Sequence, residues 1–294
     1  MHSYLFKVMQ VGLFAGASAL WLMACTATDH SAADEQELAN TYKEHANDSP
    51  VPSPMAYLEP AQPVTGKAVE YTAVDGKPIN GWLSRPVNAA GNLPAMVVIH
   101  QWWGLDDSIR QASERYAGEG YMTLAVDLYQ GSVATEPRDA MQMSRALSKD
   151  KTSGYANIQD AIAYLKGQGA TEIGVVGWCM GGRWSLLTAL AYPDDIDAAV
   201  IYYGGVTADK EQLAVLDMPV LGIFAGDDFI VPPKKAYEFA ASMAALKKDL
   251  EFYMYRDADH AFSNPSGKEY NAVAAEDSWE KTKAFLARNL QTDN

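Results

Sequence analysis

The sequence predicts an α/β protein built on a mostly parallel, doubly wound sheet, with helices on both faces and an antiparallel hairpin at its N-terminal edge. Three observations carry this. From about residue 68 onward, short apolar runs rich in β-branched residues alternate with segments of helical spacing, the pattern of parallel strands joined by crossover helices. Near the start of that region two alternating runs flank Asp75-Gly76, a pair suited to a two-residue hairpin turn. Further on, Gly177-Trp178-Cys179-Met180-Gly181-Gly182 lies between the run Ile173–Val176 and the apolar stretch Trp184–Tyr192, which reads as strand, tight turn and helix.

Two segments of different character precede the sheet. Lys7 is followed by an apolar run from Val8 to Ala24 that ends Leu22-Met23-Ala24-Cys25, with no stop-transfer cluster behind it. Residues 1–24 therefore read as a secretory signal and not as a spanning helix. The Leu-x-Ala-Cys ending resembles a bacterial lipobox, which implies a lipid on Cys25 and a periplasmic, extracytoplasmic body. Thr26 stands where inner-membrane retention in enteric bacteria uses aspartate, so the resemblance favours the outer membrane. Ordinary secretion, with Cys25 inside the removed peptide, is the alternative. Residues 25–66 are polar and acidic and carry Pro50, Pro52, Pro54, Pro60 and Pro63, a composition that favours extended backbone and buries no core. They read as a tether, which leaves residues 67–294 as the folded domain.

Within that domain Val69–Val74 and Ile79–Ser84 are the two arms of the hairpin. Met96-Val97-Val98-Ile99-His100 begins as a continuous apolar run, as in a strand covered on both faces. Met122–Val126, Ile173–Val176, Ala198–Tyr203, Val220–Phe224 and Phe252–Tyr255 repeat the type. Helical spacing occupies roughly 107–119, 136–149, 154–167, 181–192, 233–246 and 276–290. In such sheets ligands bind beyond the carboxyl ends of the strands, and every candidate residue below falls there.

The 294-residue chain is 48% hydrophobic, enough for a substantial core, and its formal charge is -14. Loss of residues 1–24 removes one cation, Lys7, and no acid, which leaves -15. So acidic a body repels phosphate backbones and anionic head groups, so nucleic acid is excluded as a partner and membrane association is left to the N-terminal lipid. A monomer acting on a small molecule is expected. The two cysteines make no disulfide framework if one is acylated or removed, so Cys179 is the only thiol of the body. A lone thiol in an oxidising compartment is a chemical risk, which favours a chemical use for it.

A glycine-flanked elbow lifts its central side chain above the sheet, facing a helix N-terminus, where the dipole or a nearby imidazolium favours a thiolate. Cys179 holds that position. The bland alternative is a buried small hydrophobe. A cysteine nucleophile needs an imidazole to take its proton and return it to the leaving group. Of the five histidines, His2 lies in the signal and His30 and His45 in the tether, which leaves His100 and His260. His260 follows the last strand, where a loop can carry it over the elbow; His100 ends a strand and reads as structural. The imidazole in turn needs a carboxylate to orient it. Asp227-Asp228 follows the preceding strand directly; Asp228 is favoured and Asp227 is the alternative. Asp257 and Asp259 flank the histidine, but adjacent residues in an extended loop point apart. For an oxyanion, the N–H of Met180 and that of Trp102, in the loop His100–Asp107, are the expected donors. Trp102 and Trp103 serve equally well as packing.

These stretches together resemble the dienelactone hydrolase family of α/β-hydrolases. The residues concerned are His100-Gln101-Trp102-Trp103-Gly104, the elbow Gly177–Gly182, Asp228-Phe229-Ile230-Val231-Pro232 and His260-Ala261-Phe262, spread over about 68–290. The resemblance implies a Cys179, Asp228 and His260 triad, no metal and no cofactor, and cleavage of carboxylic esters or lactones through an acyl-thioester. Two positions depart from the pattern. The family commonly has a glutamate at Gln101, where the carboxylate helps activate the thiol, and an amide cannot take that proton. Members acting on dienelactone carry an arginine four residues beyond the histidine, where this chain has Asn264. Loss of that clamp argues against a small anionic lactone, with Arg183 and Arg145 as the candidates to replace it. Trp102, Trp178, Tyr129 and Phe262, expected near the mouth, suggest a neutral, partly apolar acyl group. The competing readings are a non-catalytic ligand-binding lipoprotein on a hydrolase fold and a cysteine-dependent thioesterase or peptidase.

Overall fold

Asp75 and Gly76 both take positive φ, 49° and 76°, as a two-residue hairpin turn of the right twist requires. They fold β1 (Val64–Val74) back onto β2 (Lys77–Pro86). The computed structural model describes residues 39, 40, 42, 43, 46, 59–89 and 91–291; the predicted signal, Cys25 and most of the tether lie outside the described residues. After the hairpin come β3 (Leu93–Ile99), β4 (Met122–Val126), β5 (Ala170–Trp178), β6 (Ala198–Tyr202), β7 (Val220–Ala225) and β8 (Leu250–Tyr255). They form one sheet in the order β1-β2-β4-β3-β5-β6-β7-β8. β2 is antiparallel to both neighbours, and every pairing from β4 to β8 is parallel.

The helices are α1 (Asp107–Gly118), α2 (Pro137–Lys149), α3 (Lys151–Gly167), α4 (Met180–Ala191), the single turn α5 (Lys210–Leu213), α6 (Pro233–Ala245) and α7 (Ala272–Leu290). Side chains alternate across a strand, so the sheet carries two cores. Met96, Val98 and Val200 pack with Tyr116 of α1 and Trp279 and Phe285 of α7. Val97, Ile99 and Ile201 pack with Leu147 of α2, Ile162 of α3, Leu186 of α4 and Phe239 of α6. Ala95 to Ile99 have no exposed surface at all. A slip of one residue would exchange the two faces of β3, so burial on both sides fixes its register and with it the position of the loop that follows.

The structure moves three boundaries. β1 begins at Val64, which pairs with Pro86, so the sheet reaches back into the segment that composition assigns to the tether, ahead of the expected start at residue 67. Extended Pro-rich backbone is also edge-strand backbone: Pro63 needs no N–H there and gives its carbonyl to Val87 N–H at 3.0 Å. α3 starts at Lys151, capped by Asp150 on Thr152 N–H, because Gly154 only masks the periodicity. α7 starts at Ala272, capped by the Asn271 side chain on Ala274 N–H, ahead of its apolar stripe.

Candidate active site

β5 ends at Trp178 and α4 starts at Met180, so one residue makes the whole turn. Cys179 does so at φ 55° and ψ -116°, a conformation that a side chain bearing Cβ adopts only under constraint. The constraint is close packing of the first turn of α4 on strand backbone. A Cβ on Gly181 would stand 2.6 Å from the His100 carbonyl oxygen, and one on Gly182 2.5 Å from that of Tyr202. Cys179 N–H donates to Tyr202 O at 3.0 Å and pins the elbow to β6. The result is a thiol at the helix N-terminus with 9% of its surface accessible.

His260 arrives on the loop after β8. Its own N–H donates to Asp259 Oδ1 at 2.7 Å and the next residue, Ala261, has φ 61°, so the chain turns sharply under the imidazole. His260 Nδ1 donates to Asp228 Oδ2 at 2.8 Å. Asp228 Oδ1 accepts from Ile230 and Val231 N–H at 2.9 and 2.8 Å, so both carboxylate oxygens are held. The pair is sealed, with 2% of Asp228 and none of His260 exposed. Asp227 is exposed, and its backbone N–H is bound to Ala258 O. Only the second acid of the Asp-Asp pair reaches the imidazole. Burial is the largest single influence on His260 and disfavours its cation. The charges of Asp228 and of a Cys179 thiolate, with hydrogen bonds to both, outweigh it and hold the imidazole well above its usual pKa.

The turn after β3 is closed by Gly104 N–H on Gln101 O at 3.3 Å. Trp102, Met180, Arg183, Ile230 and His260 line a recess on one side of Cys179. Gln101, Trp102, Ala261 and Asn264 line a second recess on its other side. His100 lies beneath this loop: Nε2 accepts from Leu128 N–H at 3.1 Å and Nδ1 donates to Gln101 O at 2.5 Å. Burial lowers its pKa, so it serves as a neutral tie between two loops.

Two aromatic expectations are corrected. Tyr129 is buried, with its hydroxyl on the Met180 sulfur at 3.1 Å, and Phe262 has no exposed surface. Each belongs to the packing under the site, because strand-end aromatics fill the gap below the loops. Trp178 borders a larger cleft beside the elbow. Asn264 spends its Oδ1 on Ser266 N–H at 3.1 Å in a local turn. Arg183 reaches the recess at Cys179, and Arg145 is not among its lining residues. Tyr203 joins the site from the end of β6. Its ring meets His260 edge-on at 5.2 Å and its hydroxyl hydrogen-bonds Ser263 at 2.8 Å, so it buttresses the imidazole. The available signal was Tyr203-Gly204-Gly205 directly after a buried strand.

The sequence model of the dienelactone hydrolase family matches residues 79–290, from the second strand to the end of the last helix. The chain belongs to the dienelactone hydrolase family. A relative from Saccharolobus solfataricus, provisionally named a carboxymethylenebutenolidase, is 34% identical over 254 residues, spanning 73% of this chain and 95% of the relative. Protein usf of Aquifex pyrophilus is 29% identical over 233 residues, spanning 76% of this chain and 99% of its own. A dienelactone hydrolase-like promiscuous phosphotriesterase from metagenomic libraries superposes with a TM-score of 0.70 at 21% identity, covering 77% of this chain and 98% of that one, and is alike in fold. This family member is thus an α/β-hydrolase in architecture and an ester or lactone hydrolase in class.

Proposed function

We propose that this dienelactone hydrolase family member cleaves carboxylic esters or lactones with Cys179 as nucleophile, His260 as its acid and base, and Asp228 as the group that orients the imidazole. The observation that carries the reading is the buried Asp228–His260 hydrogen bond of 2.8 Å beside a cysteine held in a strained elbow. His260 takes the thiol proton, and the thiolate adds to the carbonyl carbon. The oxyanion that forms accepts from the N–H groups of Met180 and Trp102. Collapse breaks the C–O bond; the departing alkoxide takes the proton from His260, and the acyl group stays on sulfur as a thioester. His260 then deprotonates a water, which adds to the thioester carbonyl. Loss of the thiolate releases the acid. Gln101, beside the nucleophile, supplies no base, so activation of the thiol falls to His260 alone.

The test is hydrolysis of 4-nitrophenyl acetate by the full chain beside Cys179→Ala and Gln101→Glu. Turnover that vanishes in Cys179→Ala and rises in Gln101→Glu is expected. Turnover appearing only in Gln101→Glu would mean a retired site and a ligand-binding protein. We further propose that Cys25 carries a lipid that holds the body outside the cytoplasm, at the outer membrane; Cys25→Ala should move the protein from the membrane pellet to the soluble fraction.

A further inference from the structure

A backbone N–H points where the carbonyl that shares its peptide plane lets it point. The peptide between Gln101 and Trp102 is one rigid unit with its oxygen and its N–H on opposite sides, so whatever holds Gln101 O aims Trp102 N–H. Gln101 O accepts from His100 Nδ1 at 2.5 Å and from Gly104 N–H at 3.3 Å. His100 is fixed in turn by Leu128 N–H on Nε2 at 3.1 Å, an acceptor role that burial protects by keeping the ring neutral. The loop that supplies Leu128 holds the far side of Trp102 as well, through Ala134 N–H on Trp103 O at 2.8 Å. It also reaches Met180, whose sulfur accepts from the Tyr129 hydroxyl at 3.1 Å.

That loop, residues 127–134, is anchored by a buried ring of polar groups. Asp127 N–H donates to the Tyr71 hydroxyl at 3.0 Å, the hydroxyl donates to Asn157 Oδ1 at 2.7 Å, and Asn157 Nδ2 donates to Asp127 O at 3.0 Å. All three residues are buried, and burial keeps the Tyr71 hydroxyl protonated, as its donation to Asn157 requires. The Asp127 carboxylate accepts from the N–H groups of Tyr129 and Gly131 and shapes the turn that follows. Tyr71 reaches this place by two local devices. It sits where the β1–β2 register shifts, between Glu70 opposite Asn80 and Thr72 opposite Ile79, and there Tyr71 and Thr72 are buried in succession. A bulge re-aims a side chain in this way. On β2, Gly81 leaves room for the ring, because a Cβ there would stand 3.0 Å from Tyr71 Cε1 and 2.7 Å from Ala125 O. Pairing of the hairpin alone requires neither device.

We propose that Tyr71 and Asn157 are positioning residues for the oxyanion: through Asp127, Leu128 and His100 they aim the Trp102 N–H at the oxygen of the attacked carbonyl. The role rests on the hydrolase reading. None of these five residues lines the recesses at Cys179, so their effect travels through the backbone of residues 101 and 102.

Two reactions of one thiol, followed on the full chain, separate aiming from general damage. Acylation of Cys179 by 4-nitrophenyl acetate, read as release of 4-nitrophenolate, passes through an oxyanion; alkylation of Cys179 by iodoacetamide does not. His100→Leu removes both ties and should slow acylation at least about tenfold, toward the roughly 10²–10³-fold of a lost donor, with KM nearly unchanged and alkylation within about twofold of the parent. His100→Asn keeps a donor for Gln101 O and should recover part of the rate. Tyr71→Phe and Asn157→Leu each remove one link and should slow acylation by at least about threefold with the same selectivity. Acylation at the parent's rate in Tyr71→Phe, or acylation and alkylation falling together, overturns the proposal whatever happens to the Tm. If His100→Leu fails to fold, Tyr71→Phe decides. A parent that iodoacetamide alkylates and the ester does not acylate removes the hydrolase reading and the positioning role with it. A parent that is acylated, with Tyr71→Phe acylated as fast, removes the positioning role alone.

Discussion

His260 carries the sharpest consequence at the scale of single residues. Its folded pKa lies above the roughly 6.5 of a free imidazole, because a carboxylate and a thiolate outweigh its burial. The sign follows: the interaction stabilises the fold in full below about pH 6.5 and is lost as pH rises through the folded value. Cys179→Ala removes one of the two anions, so the ring resonances of His260 followed by NMR should titrate at lower pH than in the parent. An unchanged midpoint would show that the thiolate contributes nothing. On activity, Asp228→Asn should lower kcat by about 10²–10⁴-fold with the ring still in place, since an amide presents the wrong partner to Nδ1–H. Assay of the variant on 4-nitrophenyl acetate checks it. The meeting of Cys179, Asp228 and His260 at one end of the sheet was legible in the chain because each follows a strand at a short offset. The place of Tyr203 against His260 was not, because spacing puts a side chain on a face of its element without showing what that face meets.

Elements meet through glycine at two places that matter. The elbow is one, where Gly181 and Gly182 let α4 touch the backbone of β3 and β6. The other is Gly154 in α3, where a Cβ would stand 2.8 Å from Cζ2 of Trp184 on α4. Alanine there would gain about 0.5–1 kcal/mol in helix propensity and lose about 1–3 kcal/mol to overpacking. The second effect is larger, so Gly154→Ala should lower the Tm by a few degrees; a rise would show that the indole yields freely. The element types were legible in period and composition: continuous apolar runs gave the parallel strands, and Asp75-Gly76 gave the hairpin. Element starts were not, because α3 and α7 begin at side-chain caps, Asp150 and Asn271, that precede their apolar stripes.

The limits of the folded body are a property of the whole molecule. β1 pairs from Val64 onward, and ahead of it Gln62 Nε2 donates to Gly118 O at 2.9 Å, closing the end of α1. A chain begun at residue 67 discards both, so it should melt below one begun at residue 59, by about 1–3 kcal/mol for the lost pairings and the orphaned carbonyl. Chemical denaturation of the two chains measures the difference, and coincident curves would restore the later boundary. Composition misled here because extended proline-rich backbone serves a tether and a sheet edge equally.

The sheet also divides labour. Cys179, Asp228 and His260 stand on the connections that leave β5, β7 and β8, while α1 and α7 lie together over one face and carry none of them. Substitutions along the seam between those two helices can therefore accumulate without displacing those three side chains. A lineage built on this scaffold is free to vary that seam while inheriting the strand ends unchanged.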